Sequence, residues 1–130
     1  MNKIKAALER ARDTKAFIFP SEDFYAEWKH VETLKAHLEQ LDATAIAVGS
    51  GVINDTVKYV SYLLSRKYMC VGTAASMDGF TAYGSSITKD GNKQTFDCPA
   101  PLGFVMDSEI AAAAPKELAA SGYADLIAKI

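Results

Sequence analysis

The passage that most limits what this chain can fold into runs from Ile46 to Lys58, Ile-Ala-Val-Gly-Ser-Gly-Val-Ile-Asn-Asp-Thr-Val-Lys, where a strand pattern gives way to a helix pattern across two glycines. Residues 43–48 are an apolar run of strand length, and behind them Ile53, Val57, Val60 and Leu64 fall on one helical stripe. A strand that feeds a helix through a glycine turn makes a helix mouth suited to an anion. Glycine lets backbone approach a phosphate without Cβ interference, and the first-turn N–H groups, helped by the helix dipole, point at it. Gly49, Ser50, Gly51 and Val52 are therefore the candidate phosphate loop, with a plain strand-to-helix turn as the other reading of the same residues. Asn54 and Lys58 share a face at i, i+4 with Asp55 beside them, either as polar contacts to a ligand or as a solvated helix start. Two strict templates are not met. A dinucleotide fingerprint needs a third glycine where Asn54 stands, and a P-loop needs Gly-Lys-Ser/Thr further along.

The flanking sequence extends this into an α/β plan. Residues 68–71 read as a short apolar strand followed by the small, polar loop Gly-Thr-Ala-Ala-Ser-Met-Asp-Gly, so strand, helix and strand form a βαβ unit. Ligands of parallel sheets sit beyond the carboxyl ends of the strands, and both the loop at Gly49 and the loop holding Thr73, Ser76 and Asp78 leave from such ends. The same three side chains also suit a simple turn. Upstream, Ile4, Leu8 and Ala11 space out one face of a helix, residues 15–19 read as a strand stopped by Pro20, residues 21–27 as a polar and aromatic connection, and Val31, Leu34, Leu38 and Leu41 as the buried stripe of a second helix. Downstream, residues 83–88 and 93–96 flank an Asp90-Gly91 turn as a hairpin that covers a sheet edge. Residues 102–106 form a further strand ending at Asp107, and Pro115 opens an alanine-rich helix. The fold class is thus a Rossmann-like parallel sheet with flanking helices and a β-hairpin. Residues 1–110 make the nucleotide-binding domain and residues 111–130 the start of a helical one.

Composition excludes several functions. The 130 residues are 49% hydrophobic and 23% charged, with a net charge of −2, which suits one folded domain of α/β type. Acidic and basic residues are interspersed, so no basic stripe points to nucleic acid, and no apolar run is long enough for membrane insertion. Cys70 lies in a strand pattern and Cys98 in a Pro-flanked turn, with no Cys-x-x-Cys, which places the chain in a reducing, cytoplasmic setting. His30 and His37 are seven apart on the second helix, a spacing that suits surface or groove-lining histidines rather than a helical metal pair.

Several stretches taken in order resemble the sn-glycerol-1-phosphate dehydrogenase family, within the group that includes dehydroquinate synthases and metal-dependent glycerol dehydrogenases. They are Phe17-Ile-Phe-Pro20, the Ala47 to Tyr59 segment with its Gly-Ser-Gly-Val-Ile-Asn-Asp, Thr73-Ala-Ala-Ser-Met-Asp-Gly-Phe80, Ile87-Thr-Lys-Asp-Gly, and Ala113 to Lys129 with its Gly-Tyr-Ala-Asp-Leu. The resemblance implies an oxidoreductase that passes hydride between NAD or NADP and dihydroxyacetone phosphate or glycerol 1-phosphate. A divalent metal, zinc or nickel, would polarise the C2 oxygen. It implies that Gly49, Ser50, Gly51 and Val52 hold the cofactor together with Thr73 and Ser76, and the polar placement of Asn54 and Asp55 in the first helical turns adds them to the cofactor-binding candidates. It implies that Asp78 meets the substrate in a catalytic role and that Asp125 ligates the metal at the substrate site, while Lys58 joins the catalytic candidates from its place on the helix face. It further implies a homodimer.

The departures carry information as well. Ala82 stands where the family carries a serine, and neither His30 nor His37 matches the family's metal-ligand histidines. The first strand of the fold is expected before Met1 and both ligand histidines after Ile130, so the chain reads as a segment that is inactive alone. The rival reading is a non-catalytic α/β binding or regulatory module, with a related glycerol dehydrogenase or dehydroquinate synthase-like enzyme as a further alternative.

Overall fold

A computed structural model of the chain describes residues 2–11, 13–19 and 24–129. Three parallel strands, β1 (Ala45–Gly49), β2 (Tyr68–Gly72) and β5 (Gly103–Met106), form one sheet in the order β1-β2-β5. The glycine turn separates β1 from the helix α3 (Gly51–Leu63), which returns the chain to β2 as the βαβ reading requires. The register aligns Ala47 with Cys70 and Cys70 with Phe104. Ala47 and Cys70 are buried in the same core as Val57 and Val60 of α3.

α3 is the centre of the molecule. Val57 and Val60 are buried as the stripe predicts, and Ile53 and Leu64 pack against the core from its margin. Yet Asn54, Thr56, Lys58, Tyr59 and Ser61 are buried too, so the helix is enclosed on nearly every side. Helix α2 (Trp28–Glu39) lies against it through Val31 and Leu34. Full burial of such a side chain contributes about 1.5 to 3 kcal/mol, which makes the α2–α3–sheet contact the main store of apolar stabilisation. Helix α5 (Lys116–Ile127) has no buried residue and is held by polar and backbone contacts instead.

The hairpin of β3 (Ser85–Lys89) and β4 (Asn92–Phe96) turns at Asp90 and Gly91, both at positive φ (51° and 76°), as an Asp-Gly hairpin turn demands. It does not cover an edge of the parallel sheet, as the sequence suggested. It is a separate two-stranded sheet packed on α3, where Phe96 meets Tyr59 at 4.6 Å between ring centroids. Trp28 of α2 reaches the same cluster and stacks under the Lys89 ammonium at 3.8 Å.

One other expectation is corrected. Residues 15–19 form no strand: the run has β propensity, but no neighbouring strand among the described residues supplies a ladder, and Phe17 and Phe19 pack edge to face at 5.0 Å. The expected stop at Pro20 and connection through residues 21–23 lie outside the described residues. Asp107 stands at the end of β5, as expected, and also caps a short helix α4 (Ser108–Ala112), its carboxylate accepting from the N–H groups of Glu109 and Ile110. The amphipathic N-terminal helix is present as α1 (Asn2–Ala11). His30 and His37 lie against aromatic rings, Phe24 at 4.6 Å and Phe17 at 4.8 Å.

Candidate functional site

The carboxyl ends of β1 and β2 bring two loops into direct contact. The Thr73 N–H donates to the Gly49 carbonyl at 3.1 Å, and the Gly51 N–H donates to the Ser76 hydroxyl oxygen at 3.1 Å. Ser50, at the N-cap position of α3, makes no capping bond with its own side chain. The opening turn of α3 is therefore closed by a hydroxyl borrowed from the 73–78 loop, in place of the local cap that the residue type leads one to expect. Met77 lies over the same turn, and a Cβ on Gly51 would approach its sulfur to 2.7 Å. Gly49, Ser50, Gly51, Val52, Thr73 and Ser76 thus converge at the mouth of a 13-residue helix.

The far side of the 73–78 loop rests on α5. Asp125 Oδ2 accepts from the Asp78 backbone N–H at 3.1 Å, and Lys129 pairs with the Asp78 carboxylate. The hydrogen-bonded ammonium of Lys129 holds the Asp78 carboxyl below the usual carboxylate range, and the same contact raises Lys129. Asp78 and Asp125, 47 residues apart in sequence, are neighbours here. One loop thereby joins the candidate phosphate turn to the candidate ligand carboxylates.

Asn54, Asp55 and Lys58 occupy different surroundings. The Tyr68 hydroxyl donates to Asn54 Oδ1 at 3.0 Å. The Asp55 carboxylate accepts from the Ser86 N–H at 3.3 Å, and its backbone carbonyl accepts from the Ser85 hydroxyl at 2.7 Å. Lys58, only 1% exposed, donates to the carbonyls of Gly79 (3.3 Å), Ala82 (2.9 Å) and Gly84 (3.1 Å). Burial lowers the Lys58 ammonium, with Asp55 acting against that shift, and burial raises Asp55, with Lys58 acting against it. These three side chains spend their polar groups on β2, β3 and the 79–84 segment. Burial also pushes both thiols, Cys70 and Cys98, up to about 11, which makes them poor nucleophiles at neutral pH.

The arrangement suits an anion at the helix mouth, because its first-turn donor is held by a neutral, displaceable hydroxyl. It does not amount to a metal site: no three His, Cys, Asp or Glu side chains gather among the described residues, and Asp125 stands without imidazole partners there. Sequence reasoning missed Met77, Gly122 and Lys129. The last two were signalled by their spacing from Asp125, three before and four after, which sets all three on one helical face.

The sequence pattern of the iron-containing alcohol dehydrogenase family matches residues 1–115. A glycerol-1-phosphate dehydrogenase [NAD(P)+] of Methanocorpusculum labreanum is 44% identical over 105 residues, which are 80% of this chain and 28% of that protein. The Bacillus subtilis protein of the same name is 33% identical over 108 residues, covering 83% of this chain and 27% of its own length. The solved structure of glycerol dehydrogenase from Schizosaccharomyces pombe superposes with a TM-score of 0.77 at 26% identity, over 98% of this chain and 32% of that one. The chain therefore spans less than a third of the length of these relatives.

Proposed function

The chain belongs to the iron-containing alcohol dehydrogenase family, and on that premise we propose that it forms the nucleotide-binding part of an NAD(P)-dependent glycerol-1-phosphate dehydrogenase. The observation that carries the reading is the helix mouth at Gly51. A first-turn N–H held by the Ser76 hydroxyl, beside an N-cap serine that does not cap, is a place where a pyrophosphate oxygen can exchange for a neutral acceptor. Gly49, Ser50, Gly51 and Val52 line that mouth, with Thr73 and Ser76 across from them. The naming of the Methanocorpusculum labreanum and Bacillus subtilis relatives supports glycerol 1-phosphate as one substrate, and dihydroxyacetone phosphate is the ketone that its oxidation at C2 gives.

In this proposal Asp78 meets the substrate and Asp125 contributes one carboxylate toward a divalent metal, whose Lewis acidity would polarise the C2 oxygen. The described residues complete no such site; in this proposal the further ligands, like the homodimer, are those of a larger enzyme. The domain division near residue 110 belongs to the same proposal. Asn54, Asp55 and Lys58 then serve the site from behind: they fix α3 to β2, to the hairpin and to the 79–84 segment, so that the phosphate turn keeps its place.

Titration of the 130-residue protein with NADH and with NADPH, followed by amide chemical shifts, tests this. Shifts confined to residues 49–52, 73 and 76 support it. Saturating shifts elsewhere, or none at millimolar nucleotide, would sink it. Turnover of dihydroxyacetone phosphate by this chain alone is not expected, because one carboxylate does not hold a catalytic metal.

A further inference from the structure

Met77 stands between the two loop residues that reach the site: Ser76, whose hydroxyl holds the Gly51 N–H, and Asp78, whose own N–H is held by Asp125. Side chain and backbone of Met77 are each fitted against a glycine. A Cβ on Gly51 would lie 2.7 Å from the Met77 sulfur, 3.1 Å from Cγ and 3.4 Å from Cε, so the thioether lies across the bare Cα of Gly51. A Cβ on Gly122 would lie 3.1 Å from the Met77 nitrogen, so α5 supports the backbone of the same residue. Gly51 is buried and helical, and the described glycines at positive φ are Gly84 and Gly91. Backbone conformation therefore makes no demand for glycine at position 51, and helix propensity opposes it. The Met77 side chain supplies the demand.

We propose that Met77 is a positioning residue of the nucleotide site, its thioether keyed into the space that Gly51 leaves so that the 73–78 loop holds Ser76 on the helix mouth. That the mouth takes a nucleotide rests on the dehydrogenase reading; the fit of Met77 on Gly51 does not. A methyl at position 51 would meet the end of a flexible, unbranched side chain, so Gly51→Ala pushes the thioether aside and leaves α3 folded. The glycine and the methionine are then two halves of one contact. In the competing account Met77 only fills the margin of the core against which it packs, and its loss lowers stability without changing the mouth. A third account has Gly51 bare for the phosphate itself, in which case the two residues act independently.

The test is a double-mutant cycle in the 130-residue protein, comprising wild type, Gly51→Ala, Met77→Ala and the double variant, with Met77→Leu as the conservative replacement. NADH affinity is read from amide shifts, and hydrogen exchange of the Gly51 amide is read in the Met77 variants, each where the protein is folded. Met77→Ala is expected to speed that exchange several-fold and to weaken NADH several-fold, whereas Met77→Leu, which nearly conserves volume, keeps both near wild type. Gly51→Ala is expected to weaken NADH as much as Met77→Ala does, and the double variant no further than either, since both substitutions remove the same contact. Unchanged exchange at Gly51 in Met77→Ala, with only the melting temperature lowered, would overturn the proposal. Losses of NADH affinity that multiply in the double variant would overturn it too, by showing that the glycine admits the phosphate directly. An absence of NADH shifts at residues 49–52 in every sample would count against the dehydrogenase reading, while exchange at Gly51 still decides the role of Met77.

Discussion

A Cβ placed on Gly122 would lie 2.1 Å from the carbonyl oxygen of Ala75 and 3.1 Å from the Met77 nitrogen, so α5 meets the 73–78 loop backbone to backbone. Only a glycine permits that approach. The contact explains how a helix with no buried residue stays seated, since its register on the loop is set by a steric fit and two polar contacts to Asp78.

Gly122→Ala should therefore be destabilising. In an exposed helix the exchange gains about 1 kcal/mol of helix propensity. Here the obstacle is backbone, and overpacking of that kind costs roughly 1 to 3 kcal/mol, so the clash wins. Thermal unfolding and amide exchange across residues 123–127 check this: the variant should melt earlier and exchange faster through α5. A stabilised variant would mean that α5 is not held against Ala75.

Lys58→Met should lower stability by roughly 2 to 4 kcal/mol. The methylene stem is retained, but three carbonyls lose their charged donor inside the fold. Faster amide exchange in the 79–84 segment should accompany the loss. Were Lys58 a proton donor to substrate instead, the change would leave unfolding near wild type and appear only in the turnover of an intact enzyme.

Much of this was legible in the sequence. The glycine turn and the Val57–Val60 stripe locate β1 and α3 within two residues, because strand and helix periodicities differ and glycine marks where one ends. The Asp90-Gly91 turn fixes the hairpin for the same local reason. What was illegible depended on partners. Residues 15–19 carry a strand composition without a strand to pair with among the described residues, and Lys58 sits at a helical position that suits solvent or ligand until the 79–84 carbonyls close over it. No spacing rule spans 47 or 51 residues, so the meeting of Asp78 with Lys129 was invisible, and only the resemblance set Asp78 and Asp125 at one site.

Alkaline pH should weaken the fold over a defined window. Burial raises the Cys70 and Cys98 thiols to about 11, whereas an unfolded cysteine titrates near 8.5. Above the lower value the unfolded chain has released protons that the native chain still holds, so stability falls as pH rises from about 9 to about 11 and is fully present below that range. Thermal midpoints measured from pH 8 to 11 should show this decline. The double variant Cys70→Ala/Cys98→Ala should decline less steeply, and an identical slope would mean that the thiols do not contribute.

The last prediction concerns Ser76, whose hydroxyl oxygen accepts from the Gly51 N–H across 25 residues of sequence. For the fold this is one neutral, part-buried hydrogen bond, so Ser76→Ala should cost about 0.5 to 1.5 kcal/mol. For nucleotide binding, two opposite outcomes are physically open. If the hydroxyl only plugs the helix mouth, its removal frees a first-turn donor and NADH binds more tightly. If instead it moves aside and bonds a phosphate oxygen while holding the loop in place, its removal weakens binding. The second is favoured, because the 73–78 loop is braced on its other side by Gly122 and Asp125, so Ser76 does not leave the mouth when the Gly51 bond is exchanged. Ser76→Ala should therefore weaken NADH binding about three- to tenfold, the equivalent of one hydrogen bond. Gly51→Val, which crowds Met77 and fills the turn, should weaken it further. Tighter NADH binding by Ser76→Ala would make the serine a plug, and unchanged binding in both variants would return the Gly49 turn to a plain connection between strand and helix.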